Sequence, residues 1–230
     1  METATEPQGE PPAAAVFDLD GTLVRSEERS RALWSAFLSG YRVPADEELL
    51  DALMGRRGAD VLAERPHLFP GRTAAELVAE VLALNDRLTT LPAVEPVAGA
   101  VELVRAVAVT GDPLALVTSG PRDYATGLLD QLGLRGFFEV LVTGDDVVNG
   151  KPDPEGYLAA CALLGVHPGR AVAFEDSPAG LAAARAAEMR CVGVATTKPI
   201  AVLAAADAVV PDLRAVSWPV TVDIMTTEEA

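Results

Sequence analysis

The sequence predicts an α/β fold in which a doubly wound parallel sheet carries a small inserted α-helical domain. Two observations predict this fold. After residue 92 the chain alternates short, continuously apolar runs with longer stretches of helical periodicity, which is typical of a parallel sheet covered on both faces. Between residues 27 and 91, helical periodicity appears without strands. We therefore expect a sheet made from one N-terminal strand and from the segments that follow the helical insertion.

The expected elements follow in order along the chain. Strands are predicted over residues 13–17, 114–117, 138–142, 171–174, 191–195 and 208–210, because each run is apolar and bounded by turn residues. Core helices are predicted over residues 98–109, 123–132, 154–164 and 178–187, and insertion helices over 31–38, 46–54, 59–63 and 73–88. Asp46 and Thr73 are expected to be helix N-caps, and Trp34 and Phe37 are expected to pack inside the insertion.

These elements set the expected domain boundaries. The core should comprise residues 13–25 and 92–222, the inserted helical domain residues 26–91, and flexible tails residues 1–12 and 223–230. The acidic N-terminal stretch has neither the basic nor the apolar segment of a signal peptide. The chain also lacks any apolar run of the roughly 18 residues that a membrane span needs. We therefore expect a cytoplasmic protein.

Composition limits the expected partners. The formal net charge of −16 disfavours nucleic acid and anionic membranes, and no obligate protein partner is evident. A small anionic molecule would need local positive charge, and the chain has only two lysines, Lys151 and Lys198. Cys161 and Cys191 lie in apolar contexts and are expected to be buried, reduced thiols.

A pair of acids follows the first predicted strand. Asp18 and Asp20 are two positions apart, and because alternate strand residues point to the same side, their carboxylates can converge. Two carboxylates that close repel each other unless a cation or a shared proton lies between them. The pair therefore indicates either a hard-cation site or nucleophilic and acid–base chemistry.

Further polar segments follow two other predicted strands, at the edge where open α/β sheets bind ligands. After residue 117, Thr118, Ser119 and Gly120 can form an anion-binding nest of a hydroxyl and backbone N–H groups, or an ordinary helix cap. After residue 174, Glu175 and Asp176 precede a Ser-Pro helix start. Helix capping explains Asp176 but leaves Glu175 unexplained.

Two loop segments complete the candidates. Lys151 lies in a Gly-Lys-Pro-Asp-Pro turn, where it can act as a point charge on phosphate or carboxylate oxygens or be a solvated loop lysine. Asp145 and Asp146 are interpreted as the acidic first turn of a short helix, favoured by the helix dipole.

In their order, these segments resemble the haloacid dehalogenase-like (HAD) phosphotransferase superfamily over residues 13–212. The insertion resembles the small helical cap of the subfamily that contains phosphoglycolate phosphatases, β-phosphoglucomutases and sugar or polyol phosphatases. Residues 54–62 and 117–122 look most like the sugar and polyol phosphatases. The resemblance implies a Rossmann-like core and a Mg²⁺-dependent phosphoric monoester hydrolase. Its substrate would be a small phosphorylated metabolite, with a sugar or polyol phosphate favoured, and its intermediate an aspartyl-phosphate.

The resemblance also implies a role for each matching residue. Asp18 would be the nucleophile, and Asp20 would protonate the leaving alkoxide and later deprotonate the attacking water. Mg²⁺ would be held by the Asp18 carboxylate, the Asp20 backbone carbonyl, Asp176 and, directly or through water, Glu175. The phosphoryl oxygens would be bound by Thr118 and the following N–H groups of Ser119 and Gly120, and their charge would be offset by Lys151.

Several arginines bear on specificity. Arg56 and Arg57 of the insertion would read the non-phosphate end of the substrate or form a solvated basic turn, and Arg122 is placed with the substrate-binding residues. Arg25 stands where the family often has an acid, and a surface position is expected for it over a substrate contact.

A sugar phosphomutase of the β-phosphoglucomutase type remains the alternative function. Such a mutase needs cap groups that hold a second phosphate, and Gly58 occupies the position of its cap arginine, which favours a phosphatase. A haloacid dehalogenase would lack the second acid, which is present here as Asp20. A non-enzymatic member would be expected to have lost one of Asp18, Thr118, Lys151 or Asp176.

Overall fold

The computed structural model describes residues 12–222, so the tails expected at 1–12 and 223–230 lie outside it except for residue 12. The strands are β1 (Ala14–Phe17), β2 (Val24–Arg25), β3 (Glu95–Pro96), β4 (Leu114–Val117), β5 (Val140–Val142), β6 (Ala171–Glu175), β7 (Arg190–Val194), β8 (Ala208–Val210), β9 (Val216–Ser217) and β10 (Thr221–Val222). The α-helices are α1 (Glu27–Gly40), α2 (Glu47–Gly55), α3 (Gly58–Ala63), α4 (Ala74–Arg87), α5 (Ala100–Thr110), α6 (Arg122–Gln131), α7 (Glu155–Leu164) and α8 (Pro178–Ala186).

Six of the strands form one parallel sheet in the order β5-β4-β1-β6-β7-β8. One face packs against α5 and α6, where Phe17 and Phe174 stack with ring centroids 4.6 Å apart. The other face packs against α7 and α8 through small residues such as Ala160 and Ala184. Helices cover both faces, so the expected doubly wound parallel sheet is confirmed.

The helices α1 to α4 form a separate bundle after β1 with its own apolar cluster, in which Phe37 and Leu38 are buried and Trp34 is partly buried. Asp46 caps α2 by accepting a hydrogen bond from the Leu49 N–H at 2.9 Å. Thr73 caps α4 with a reciprocal bond to Glu76, as a capping box. Both N-cap predictions are therefore confirmed.

The largest differences from the sequence expectation lie in short elements. The antiparallel pairs β2–β3 and β9–β10 were not predicted, because strands of two residues are too short to show periodicity. The strand expected over 138–142 begins only at Val140, after a 3₁₀ turn at Arg135–Phe137. The prediction of a helix that starts at Asp145-Asp146 was wrong. Asp146 instead accepts a hydrogen bond from the Thr143 N–H at 2.8 Å and closes a turn.

Two smaller expectations can also be compared with the structure. Cys161 and Cys191 are buried free thiols, as expected. Arg25 is exposed, in agreement with the surface position preferred for it. Across residues 12–222, no helix has the length and apolar character that would let it cross a membrane.

Candidate active site

The sheet topology brings the predicted acids together. Strand β1 lies between β4 and β6, so the chain leaves the sheet in opposite directions on either side of it, and such a switch point opens a crevice at the carboxyl ends of the strands. Asp18 follows β1, Thr118 follows β4 and Asp176 follows β6. The loop between β5 and α7 carries Lys151 to the same place.

Three buried carboxylates cluster there, and one ammonium group bonds to two of them. Oxygen atoms of Asp18, Glu175 and Asp176 all lie within 4.8 Å of one another. Lys151 Nζ donates to Asp18 Oδ1 at 2.6 Å, to the Val117 carbonyl at 3.1 Å, and to Glu175. Burial lowers the pKa of Lys151, but Asp18 and Glu175 outweigh burial and raise it above its usual range, so the lysine stays charged.

One positive charge does not balance three carboxylates. Burial raises the pKa of Asp18 well above its usual range, and the charges of Glu175 and Asp176 raise it further against the opposing effect of Lys151. Burial, followed by the charge of Glu175, raises the pKa of Asp176 to about 7. A divalent cation would relieve this excess of negative charge, and clustered carboxylate oxygens are the ligands that hard cations prefer. The donor set therefore fits a divalent metal.

Glu175 is fully buried and held inside the cluster. Its Oε1 accepts from Lys151 and from the Tyr157 hydroxyl at 2.6 Å, and its Oε2 accepts from Ser177 Oγ at 3.2 Å. Gly180 makes room for the carboxyl group, because a Cβ at that position would lie 2.0 Å from Glu175 Oε1. Glu175 thus connects Lys151 to the first turn of α8.

Asp20 lies beside this cluster and has its own hydrogen bonds. Its Oδ1 accepts from Ser26 Oγ at 2.5 Å and from the Tyr124 hydroxyl at 2.7 Å. Burial raises the pKa of Asp20 above its usual range, against the lowering effect of these two donors. A carboxyl group with a raised pKa can hold a proton and release it, which general acid–base chemistry requires.

A small pocket opens above these groups. It is lined by Asp18, Asp20, Thr118, Ser119, Lys151, Asp176 and Ser177 from the core and by Met54 and Gly55 from the end of α2. Gly120 is not among the lining residues, and its N–H donates to Thr118 Oγ1 at 3.0 Å. The helical insertion therefore covers the predicted catalytic residues directly.

Comparison with known proteins identifies this arrangement. The family model described as haloacid dehalogenase-like hydrolase matches residues 12–188. The chain belongs to the haloacid dehalogenase-like hydrolases. Validoxylamine A 7'-phosphate phosphatase of Streptomyces hygroscopicus subsp. limoneus is 45% identical over 89% of this chain and 96% of the relative. Hexitol phosphatase A of Escherichia coli K12 is 34% identical over 78% of this chain and 81% of the relative.

A solved structure supports the same assignment. The structure of CbbY from Rhodobacter sphaeroides in complex with phosphate has a TM-score of 0.76 and 27% identity, and the match covers 88% of this chain and 95% of that one. With relatives that are phosphatases at up to 45% identity over most of the chain, this HAD-like hydrolase is a phosphatase.

The arginines predicted to bind substrate lie outside the small pocket of this HAD-like phosphatase. Arg56 pairs with Glu64 within the insertion. Arg122 pairs with Asp146 at 2.5 Å on the surface. Arg57 pairs with Asp60 at 2.6 Å and crosses to the core. The structure therefore gives each of these guanidinium groups another partner.

The Arg57 contact joins the two parts of the HAD-like phosphatase. Its guanidinium donates to the carbonyls of Val147 at 2.7 Å, Val148 at 2.6 Å and Gly144 at 3.2 Å. All three carbonyls belong to the core loop between β5 and Lys151. Arg57 thus connects the insertion to the loop that carries Lys151.

Four residues at the site were missed by the sequence reasoning: Ser26, Tyr124, Tyr157 and Thr197. The two tyrosines lie on helices at positions where an aromatic residue looks like ordinary core, so they carried no signal. Thr197, which donates to Asp176, follows the end of β7. The rule that ligand residues follow the carboxyl ends of strands would have found it.

Proposed function

We propose that this phosphatase hydrolyses a phosphomonoester of a sugar or polyol in two phosphoryl transfers, with Asp18 as the nucleophile. The observation that carries the proposal is the difference in hydrogen bonding between the two oxygens of the Asp18 carboxylate. Its Oδ1 accepts from Lys151, whereas Oδ2 has no hydrogen-bond partner within residues 12–222, and the group lines the pocket. Oδ2 is therefore free to attack a phosphorus atom, while Lys151 fixes the carboxylate and offsets charge beside it.

In the first transfer, Asp18 Oδ2 forms a bond to phosphorus as the bond from phosphorus to the ester oxygen breaks. Asp20 gives its proton to the departing alkoxide, so an alcohol leaves and an aspartyl-phosphate remains. In the second transfer, water attacks phosphorus and Asp20 accepts its proton. The bond from Asp18 to phosphorus breaks, which releases inorganic phosphate and restores both carboxyl groups.

Mg²⁺ is the proposed metal. Its ligands would be the carboxylates of Asp18 and Asp176 and the backbone carbonyl of Asp20, with Glu175 in reach directly or through water. When bound, the ion would neutralise the acidic cluster and stabilise charge on the transferring group. Thr118 and Ser119, which line the pocket, are proposed to bind the remaining phosphoryl oxygens.

The substrate class is supported by the charge of the pocket. Among the described residues, Lys151 is the sole cation in the lining, and the insertion contributes Met54 and Gly55, which are uncharged. Such a pocket suits one phosphate on a neutral, hydroxylated body. Two relatives named for validoxylamine A 7'-phosphate and for hexitols point the same way.

The same charges disfavour the phosphomutase alternative. A mutase must hold a second phosphate in the cap, yet Arg56 and Arg57 are paired with Glu64 and Asp60. At Gly58, where related mutases carry a cap arginine, an added Cβ would lie 2.9 Å from the Trp34 ring. We therefore propose that residues 26–91 act as a cap that closes over the core of residues 13–25 and 92–222 without binding a second phosphate.

The cytoplasmic location and the absence of a protein partner stay predictions.

The test is phosphate release from a panel of hexose, pentose, hexitol and glycerol phosphates with Mg²⁺. Wild-type enzyme should release inorganic phosphate, a chelator should stop release reversibly, and Asp18→Asn should abolish it. Asp130→Asn, which changes an exposed acid on α6, serves as the matched control and should keep full activity. Substantial turnover by Asp18→Asn would refute the nucleophile, and an isomerised sugar 1-phosphate without free phosphate would establish the mutase.

A further inference from the structure

We infer that Tyr124 is a positioning residue for Asp20, which sets the oxygen from which the proton reaches the leaving group. The inference rests on the proposed role of Asp20 as the general acid. Tyr124 lies in the first turns of α6, and its hydroxyl donates to Asp20 Oδ1 across 104 residues of chain at 2.7 Å. An ionised carboxylate only accepts hydrogen bonds, so the phenol is the donor when Asp20 is ionised.

The two carboxyl oxygens of Asp20 have different surroundings. Oδ1 accepts from both Tyr124 and Ser26, whereas Oδ2 has no hydrogen-bond partner within residues 12–222. When Asp20 is neutral, a proton on Oδ1 would displace one of these two donors. Oδ2 is therefore the oxygen that remains available to the substrate, and the two donors hold the carboxyl group in that orientation.

The phenol is itself held in place by packing. Its ring packs against the main apolar cluster of the sheet, and its Cδ1 lies 3.1 Å from the point where Gly120 would carry a Cβ. A Cβ at position 120 would require the ring to shift by a few tenths of an ångström. The loop that carries Thr118 and the group that orients Asp20 are thus fitted to each other.

Positioning of this kind predicts a kinetic signature. An alkyl phosphate needs its leaving oxygen protonated, whereas p-nitrophenolate leaves without protonation. Loss of the Tyr124 hydroxyl should therefore slow the first transfer from an alkyl phosphate and spare that from p-nitrophenyl phosphate. A merely structural tyrosine would affect both substrates alike.

The experiment is a single-turnover measurement with enzyme in excess and Mg²⁺ present, so that only release of the first product is observed. Hexitol 6-phosphate and p-nitrophenyl phosphate are compared for wild type, Tyr124→Phe and Asp20→Asn. Tyr41→Phe is the matched control, because Tyr41 lies in the helical insertion and its hydroxyl accepts from Arg72 at 2.9 Å. We expect Tyr124→Phe to slow hexitol release about tenfold and nitrophenol release less than about twofold, as positioning partners commonly contribute.

The outcomes separate this inference from the proposed function. If Asp20→Asn spares nitrophenol release but Tyr124→Phe slows both substrates equally or neither, the positioning role is refuted while the acid stands. If Asp20→Asn itself shows no dependence on the leaving group, the proposed function fails at Asp20. Ser26→Ala removes the other donor to Oδ1 and should show the same selective loss as Tyr124→Phe. If Ser26→Ala instead slows both leaving groups alike, Oδ1 does not set the proton position and the inference falls.

Discussion

Lys151 holds together a cluster that would otherwise repel itself. Its ammonium group is buried between Asp18 and Glu175, and its side chain is only 7% exposed. Removing one partner of a buried ion pair costs roughly 3–5 kcal/mol, because the remaining charges lose their compensation. Lys151→Met should therefore lower the free energy of unfolding of the metal-free protein by about 3 kcal/mol. It should also abolish phosphate release, and urea denaturation and a phosphate assay measure the two effects.

The second lysine of the chain provides the control. Lys198 pairs with Asp51 at 2.9 Å near the protein surface, with 24% of its side chain exposed. Surface pairs contribute about 0–1 kcal/mol, so Lys198→Met should change stability by less than about 1 kcal/mol. Equal losses of unfolding free energy in Lys151→Met and Lys198→Met would show that burial of the acidic cluster does not cause the destabilisation.

Residues that belong to a motif at the end of a strand could be predicted from the sequence. The residues that orient the side chains of that motif could not. Asp18, Thr118 and Asp176 meet at one pocket because parallel strands end at one edge, and the loop after β5 brings Lys151 to the same pocket. Tyr124 reaches Asp20 from a helix whose rotation about its axis depends on packing, which the sequence does not specify locally. The arginines were expected to bind substrate, because the sequence did not show that acidic side chains and backbone carbonyls already pair with their guanidinium groups.

At the level of elements, the first turn of α8 is shaped by the side chain that precedes it. Gly180 lies inside this helix, where alanine normally stabilises by about 0.5–1 kcal/mol. Here an added Cβ would lie 2.0 Å from the Glu175 carboxyl group, which is buried and hydrogen-bonded. We expect Gly180→Ala to destabilise the protein and to reduce activity at least tenfold, because Glu175 would release Lys151.

A glycine on a neighbouring helix calibrates this prediction. Gly127 lies in α6 with nothing within 4 Å of the position of its Cβ. Gly127→Ala should raise the free energy of unfolding by about 0.5–1 kcal/mol and leave activity unchanged. Thermal unfolding and phosphate release measure the stability and the activity of both variants. A Gly180→Ala protein that is stabilised and active would contradict the role given to Glu175.

The junction between insertion and core depends on the Arg57 contact. Its guanidinium reaches three core carbonyls between Gly144 and Val148, so Arg57→Ala should loosen the closed arrangement. Because the contact lies outside the small pocket, we expect KM to rise by a similar factor, about three- to tenfold, for a hexitol phosphate and for p-nitrophenyl phosphate. Amide hydrogen exchange in residues 144–150 should become faster in the same variant.

Arg56 allows a matched comparison. It pairs with Glu64 inside the insertion and, within residues 12–222, makes no hydrogen bond or ion pair with the core loop, so Arg56→Ala should leave both KM values and the exchange rates close to wild type. A rise in KM confined to the larger substrate in Arg57→Ala would mean that Arg57 reads the substrate, as the sequence alone suggested.

Long elements were predictable and short ones were not. The six sheet strands and eight helices lie near their expected positions, because each shows apolar periodicity or a cap such as Thr73. The first helix nonetheless begins at Glu27, ahead of the periodic stretch from residue 31, since its first turn is polar. The β2–β3 pair at the base of the insertion has no pattern of its own and is defined only by pairing across 70 residues of chain.

On the scale of the whole molecule, charge opposes the proposed substrate. The net charge is −16, and at the site three of the carboxylates cluster around the single ammonium of Lys151. A bound divalent cation would offset the negative charge of one phosphate group. A second anionic group on the substrate would face a negative protein and the uncharged Met54 and Gly55 of the insertion.

This balance predicts discrimination between two substrates of nearly equal size. Hexitol 6-phosphate and 6-phosphogluconate differ at one end, where a hydroxymethyl group is replaced by a carboxylate. The carboxylate must lose water without gaining a cationic partner, so kcat/KM for 6-phosphogluconate should be at least tenfold lower. Part of the penalty is long-range repulsion, which salt screens over about 8–10 Å, so the ratio should narrow as ionic strength rises. Equal kcat/KM values at low salt would show that an unrecognised cation receives the carboxylate, and the neutral-body substrate class would then be wrong.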